Sequence, residues 1–166
     1  MESFRVSLRK CTRGWTRGRI VPNSGDLLDA NVWLALTAEA HVHHERAKSY
    51  WEQEAAPIAA FCRVTQLAFL RLLTNRTVMG THVLSPAAAW ATSTDFLSLP
   101  EVELVTEPAG LDHAWERFAT AGRSSPNLWT DAYLAAFAVS AGMRLVTFDK
   151  AFSRFPGLHF LMLSAS

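Results

Sequence analysis

The sequence has few of the features that mark a secreted, membrane-bound or disulfide-linked protein. Its two cysteines, Cys11 and Cys62, provide neither a disulfide framework nor a paired metal-ligand spacing. No apolar run approaches the roughly 18 residues of a membrane span. Basic and polar residues 10–19 stand where a signal peptide would have its apolar core. These absences predict an intracellular protein that resides in the cytoplasm and is not bound to a membrane.

Motifs of several enzyme classes are missing as well. The chain has no GxxxxGK[ST] phosphate loop and no GxGxxG turn, so a nucleotide cofactor is not expected. It has no GxSxG elbow, which argues against a serine hydrolase. There are no internal repeats and no low-complexity tracts. A length of 166 residues suits one domain with a full core.

Charge is unevenly distributed along the chain. The net charge is +1, yet residues 1–24 hold six basic side chains and one acidic one, whereas the remainder holds 10 basic and 14 acidic side chains. Glycine and proline punctuate the basic segment, which shows no regular periodicity. We therefore predict a flexible basic extension over residues 1–25 and one domain over residues 26–166. The extension is either an RNA-attracting arm or sequence upstream of the true start codon.

Short apolar segments alternate with longer segments of helical periodicity. The predicted strands are 26–28, 58–61, 101–105, 145–148 and 159–163. The predicted helices are 32–38, 41–55, 64–74, 87–96, 111–121 and 127–141, with Asn31 as the N-cap of the first and 76–82 as a loop. Apolar strands that alternate with helices favour an α/β fold with a parallel sheet covered on both faces.

Three aspartates have sequence contexts that point to one edge of this sheet. Asp29 and Asp149 each follow a predicted strand, and the carboxyl ends of parallel strands share an edge where ligands bind. Asp131 lies in the first turns of the helix over residues 127–141 and heads its apolar stripe. Singly, each of these residues is more often a cap or turn residue than a ligand.

Together, the three carboxylates would repel one another unless a cation neutralised them. An all-oxygen ligand set suits Mg²⁺, with Mn²⁺ as a possible substitute. A hard cation in an open acidic crevice is typical of phosphodiester hydrolysis, because it polarises the phosphate and lowers the pKa of a bound water. The aspartates therefore predict a metal-dependent hydrolase of phosphodiester bonds.

Several blocks of the chain, in this order, resemble the PIN-domain family and specifically its VapC toxin branch. The blocks are LLDANVWLAL (27–36), HVHHERAKSYW (41–51), CRVTQLAFLRLLTN (62–75) and WTDAYLAAFAVSAGMRLVTFD (129–149). The resemblance covers roughly residues 26–163. It implies a three-layer fold with a five-stranded parallel sheet ordered 3-2-1-4-5 and flanked by helices.

The resemblance also implies a function. It implies a Mg²⁺-dependent endoribonuclease that acts as the toxin of a type II toxin–antitoxin system, with RNA as substrate, a VapB-type antitoxin as partner and a homodimeric state. Asp29, Asp131 and Asp149 match the family's metal-binding acids. Asn31 and Thr147 match polar positions beside them that orient substrate or water.

One position departs from the family pattern. Gln66 stands where the helix after the second strand usually carries a glutamate that completes the catalytic set. A glutamine amide oxygen can coordinate a cation but adds no charge, so one firmly bound metal is expected and a two-metal mechanism is not. Gln66 also supports an alternative, a catalytically silent PIN domain that binds antitoxin or RNA. A metal-dependent phosphatase on another α/β scaffold is a third hypothesis.

Overall fold

A five-stranded parallel sheet forms the middle layer of the molecule in a computed structural model, which describes residues 25–121 and 124–164. The strands are β1 (Gly25–Leu28), β2 (Ile58–Phe61), β3 (Val102–Leu104), β4 (Arg144–Thr147) and β5 (Phe160–Met162). Their order is β3-β2-β1-β4-β5, and every neighbouring pair is parallel. The predicted 3-2-1-4-5 order is confirmed.

Seven α-helices connect and flank the strands in the described part of the chain. They are α1 (Ala30–Thr37), α2 (His44–Gln53), α3 (Arg63–Leu73), α4 (Arg76–Met79), α5 (Pro86–Leu97), α6 (Leu111–Thr120) and α7 (Leu128–Ala141). Two 3-10 helices follow α4 and β4, over Gly80–His82 and Lys150–Arg154. No helix in residues 25–121 or 124–164 is long and apolar enough to cross a membrane.

The core has two parts because successive side chains of a strand point to opposite faces of the sheet. Leu28 packs on one face with Trp33, Trp51 and Phe61, and Trp33 stacks on Phe61 at 3.9 Å between ring centroids. Leu27 packs on the other face in the cluster of helices α6 and α7. Both faces of β1 are therefore buried, as a strand in the middle of a parallel sheet requires.

Two expectations from the sequence need correction, and a third lies almost wholly outside the described residues. Residues 76–82, predicted as a loop, form α4 and a 3-10 helix, and the Asn75 side chain caps α4 by accepting a hydrogen bond from the Thr77 N–H at 2.9 Å. Asn31 is not the N-cap of α1, because Asp29 holds that position. The predicted extension lies outside the described residues except for Gly25, which begins β1.

Candidate active site

Asp29 follows β1 directly and lies beside the end of β4. The parallel register pairs Leu28 with Val146, so the next step along each strand places Asp29 opposite Thr147. The Asp29 N–H donates to the Val146 carbonyl at 3.0 Å, and the Thr147 hydroxyl donates to Asp29 Oδ2 at 3.0 Å. Thr147 is fully buried. The Asp29 carboxylate is therefore held by a hydrogen bond whose donor cannot move into solvent.

Thr147 also connects this carboxylate to Asp149. The Asp149 N–H donates to Thr147 Oγ1 at 3.0 Å, and Asp149 Oδ1 accepts from the Ala151 N–H at 2.7 Å. Asp149 thereby caps the 3-10 helix that follows β4. A single buried hydroxyl fixes the two aspartates relative to each other, as expected where adjacent parallel strands end at one edge.

Asp131 reaches the same edge from the first turn of α7. Its side chain is 13% exposed and pairs with Arg154, whose Nη2 donates to Asp131 Oδ2 at 2.8 Å. Arg154 comes from the 3-10 helix that Asp149 caps. Sequence reasoning missed Arg154, because nothing in the pattern of residues 150–154 shows that this short helix returns toward α7.

The three carboxylates lie close enough to affect one another electrostatically. Burial raises the pKa of Asp29; the Thr147 hydrogen bond and nearby backbone N–H groups oppose the shift, and the charge of Asp149 adds to it. Burial also raises the pKa of Asp131, which Arg154 lowers and the charges of Asp149 and Asp29 raise further. The edge therefore carries mutually repelling negative charge that a cation would relieve.

The donor chemistry of this edge fits a hard divalent cation. Within residues 25–121 and 124–164, Asp131 Oδ1 and Asp149 Oδ2 receive no hydrogen bond from the protein, so each keeps an oxygen for an external ligand. Over the same residues, no group of three or more His, Cys, Asp or Glu side chains already surrounds a common point at coordination distance. The three side chains share the edge and its charge without forming a closed coordination sphere.

The other predicted site residues are placed differently. Gln66 is buried and bonds to Arg63 and Ser93, with no hydrogen bond to any of the three aspartates among the described residues. Asn31 is exposed in the first turn of α1. The structure thus brings Asp29, Asp131, Asp149 and Thr147 to one edge and gives Gln66 a separate set of contacts.

Arg154→Gln is expected to raise the pKa of Asp131, because the charge and hydrogen bond of Arg154 lower that pKa in the native protein. The measurement is the pH titration of the Asp131 carboxyl carbon by nuclear magnetic resonance in metal-free protein. Arg76→Gln, which removes a cation from α4, serves as the control. A titration of Asp131 that stays unchanged in Arg154→Gln would contradict the ion pair.

Comparisons with known proteins agree on one family of sequences. Residues 27–158 match the family described as "PIN domain". Ribonuclease VapC41 of Mycobacterium tuberculosis is 43% identical over 143 residues, which cover 83% of this chain and 98% of that protein. Ribonuclease VapC39 of the same organism is 35% identical over 132 residues, which cover 75% of this chain and 88% of that protein.

Solved structures share the fold. VapBC2 from Rickettsia felis, bound to a DNA fragment from its promoter, matches with a TM-score of 0.59 at 15% identity and covers 82% of this chain and 97% of that one. Mycobacterium tuberculosis VapC20, described as a sarcin-ricin loop cleaving toxin, matches with a TM-score of 0.58 at 24% identity and covers 81% and 98%. At these identities the likeness extends to the arrangement of helices and strands.

Proposed function

This chain belongs to the PIN-domain family, and from that membership we propose that it is a ribonuclease of the VapC type, the toxin of a type II toxin–antitoxin system. As such it hydrolyses RNA phosphodiester bonds with a divalent cation. The observation that carries the proposal is the sheet edge that holds Asp29, Asp131 and Asp149, where the charge of Asp149 adds to the raised pKa of Asp29 and the charges of Asp149 and Asp29 add to the raised pKa of Asp131. Such a cluster is unfavourable for folding alone, so it calls for a positively charged ligand.

The proposed roles follow from the contacts at this edge. Asp29, Asp131 and Asp149 hold the cation, which we take to be Mg²⁺ with Mn²⁺ as a substitute. When bound, such a cation polarises the phosphate and lowers the pKa of a water. Thr147 keeps Asp29 and Asp149 in fixed relation through its two hydrogen bonds, and the exposed amide of Asn31 orients substrate or water.

The alternative of a catalytically silent PIN domain rests on Gln66. Its amide is committed to Arg63 and Ser93, while the three aspartates keep their shared edge without it. Three carboxylates provide enough charge for one divalent cation, so the loss of a fourth acid does not by itself abolish the site. The relatives that cover most of this chain are named ribonucleases, which also favours the active enzyme.

The antitoxin and the oligomeric state are part of the same proposal. We propose a VapB-type antitoxin as partner, a homodimer as the assembled toxin and the cytoplasm as its location. A short gene directly upstream that encodes a small DNA-binding protein would support the partner. Sedimentation equilibrium of the purified chain tests the dimer, and a monomer at all concentrations would contradict it.

Purified protein is expected to cleave a mixed RNA pool with Mg²⁺ or Mn²⁺ and to lose that activity in EDTA. The same preparation should leave p-nitrophenyl phosphate intact, because a small phosphate ester is a substrate for a phosphatase. Hydrolysis of the ester without RNA cleavage would replace the ribonuclease by a phosphatase. If no RNA is cleaved, the absence of Mn²⁺ binding would favour the silent domain, whereas Mn²⁺ binding would indicate a metal site that is intact and a narrow choice of RNA.

A further inference from the structure

Arg63 opens α3 at the carboxyl edge of the sheet, in the turn that follows β2. The register pairs Leu27 with Ala60, so two further steps place Asp29 opposite Cys62, the residue before Arg63. The Arg63 side chain is exposed. A cation in the first turn opposes the positive end of the helix dipole, so helix stability does not account for an arginine at this position.

A buried pair of polar side chains holds the guanidinium of Arg63. Arg63 Nη1 donates to Gln66 Oε1 at 2.6 Å, and Gln66 Nε2 donates to Ser93 Oγ at 3.1 Å. Gln66 is 4% exposed and Ser93 is 2% exposed. Because a guanidinium has only donors, the amide oxygen must face Arg63 and the amide nitrogen must face Ser93. Two buried polar side chains, Gln66 of α3 and Ser93 of α5, thus hold the exposed guanidinium of Arg63 in place.

The partner of Arg63 is neutral, and this sets Arg63 apart from the paired arginines of the described chain. Arg46, Arg144 and Arg154 each contact a carboxylate, which offsets their charge. Arg63 contacts an amide and keeps its full positive charge. Arg63 lies beside the sheet edge that holds the three aspartates. From residue 25 onward the chain has more acidic than basic side chains. An RNA phosphate that approaches this edge meets mostly negative charge.

We propose that Arg63 binds an RNA phosphate beside the three aspartates, and that Gln66 and Ser93 are positioning residues that hold its guanidinium there. The inference rests on the proposed ribonuclease function and deepens it. It also explains the departure at position 66, because a glutamate there would pair with Arg63 and offset its charge, whereas glutamine holds the guanidinium without neutralising it.

The first test measures RNA binding without cleavage. Asp29→Asn protein in EDTA is titrated with a short, fluorescently labelled single-stranded RNA of mixed sequence at several salt concentrations. In this background Arg63→Gln is expected to weaken RNA binding. The plot of the logarithm of the binding constant against the logarithm of the salt concentration should also become less steep by about 0.7, the value for one phosphate contact on single-stranded RNA.

Arg71→Gln is the matched control. It removes the same charge from the same helix, about 12 Å further along its axis at 1.5 Å per residue. Arg71 is exposed and lies in the last turn of α3. The slope is expected to stay at the parent value in Arg71→Gln. An equal loss of slope in the two variants would show a general effect of net charge and overturn the inference.

The second test asks whether Gln66 acts through Arg63. Gln66→Glu keeps the side-chain volume but places a carboxylate against the Arg63 guanidinium. It should therefore reduce the salt slope of RNA binding as much as Arg63→Gln does, although Arg63 is still present. In cleavage assays at fixed Mg²⁺, Arg63→Gln and Gln66→Glu should raise KM more than they lower kcat. A rise in Mn²⁺ affinity in Gln66→Glu with an unchanged salt slope would make Gln66 a cation ligand and overturn its positioning role.

The two proposals fail in different ways. If Asp29→Asn protein with Arg63 intact does not bind RNA and the wild-type protein does not cut it, the ribonuclease function is wrong and the inference falls with it. If the wild-type protein cuts RNA while Arg63→Gln matches Arg71→Gln in salt slope and in KM, only the role of Arg63 is wrong. Arg63 is exposed, so its replacement leaves the core intact and a folded variant is expected for both assays.

Discussion

Asp29→Asn is expected to lower the rate of RNA cleavage by about a thousandfold or more, equivalent to about 4 kcal/mol of transition-state stabilisation. Asparagine keeps the size of the side chain and one oxygen that can accept the Thr147 hydrogen bond. It removes the charge through which Asp29 would hold a cation. The measurement is the initial rate of RNA cleavage in Mg²⁺ for both proteins, and an unchanged rate would remove Asp29 from the site.

The same substitution should leave the fold at least as stable in EDTA at neutral pH. Burial raises the pKa of Asp29, so its ionised form costs folding free energy at any pH above that raised pKa. Below the pKa of the unfolded chain the carboxyl is protonated in both states and the cost is absent. A melting temperature of Asp29→Asn above that of the wild type at neutral pH should therefore converge with it on acidification. A lower melting temperature throughout would mean that the carboxylate stabilises the fold.

The placement of the aspartates was predictable from the sequence because it depends on local pattern and a general rule. Asp29 and Asp149 each end an apolar strand, and parallel strands end at a common edge. Asp131 lies in the first turn of a long helix that is plain in the sequence as a run of mostly apolar residues. The family resemblance then supplied the strand order, which local periodicity does not determine.

The contacts that orient the side chains at this edge could not be predicted from the sequence in the same way. Arg154 meets Asp131 across 23 residues, and Gln66 meets Ser93 across 27 residues. Such pairs depend on how helices pack after the chain has folded, and a single sequence records neither partner's position. The missed cap at Asn75 is different, because an asparagine before a short polar segment is a local signal for a helix start.

Another aspartate, Asp26 within β1, has a structural role that the sequence pattern did not indicate. It lies three residues before Asp29, toward the opposite end of the strand, and it is fully buried. Arg144 donates to both carboxylate oxygens at 2.8 Å and 2.7 Å, the Tyr50 hydroxyl donates at 2.5 Å and the Ala56 N–H donates at 2.9 Å. Asp26 thus joins β1, β4 and α2 within the buried interior.

Asp26→Asn is expected to lower the free energy of unfolding by about 3–5 kcal/mol, the cost of removing one partner of a buried ion pair. The asparagine would leave Arg144 without its counter-charge and turn an N–H₂ group toward hydrogen-bond donors. Urea denaturation of both proteins measures the change. Tyr50→Phe, which removes one of the four hydrogen bonds, should cost about 1 kcal/mol.

Asp26→Asn, within β1, and Asp29→Asn, directly after β1, therefore make the same chemical change with opposite expected results. In Asp26→Asn the folded fraction should cut RNA at the wild-type rate, because strand residues three apart are separated by about 10 Å at 3.3 Å per residue. In Asp29→Asn the fold should persist while cleavage is lost. If folded Asp26→Asn protein did not cleave RNA, or if its urea midpoint were unchanged, the purely structural role of Asp26 would be contradicted.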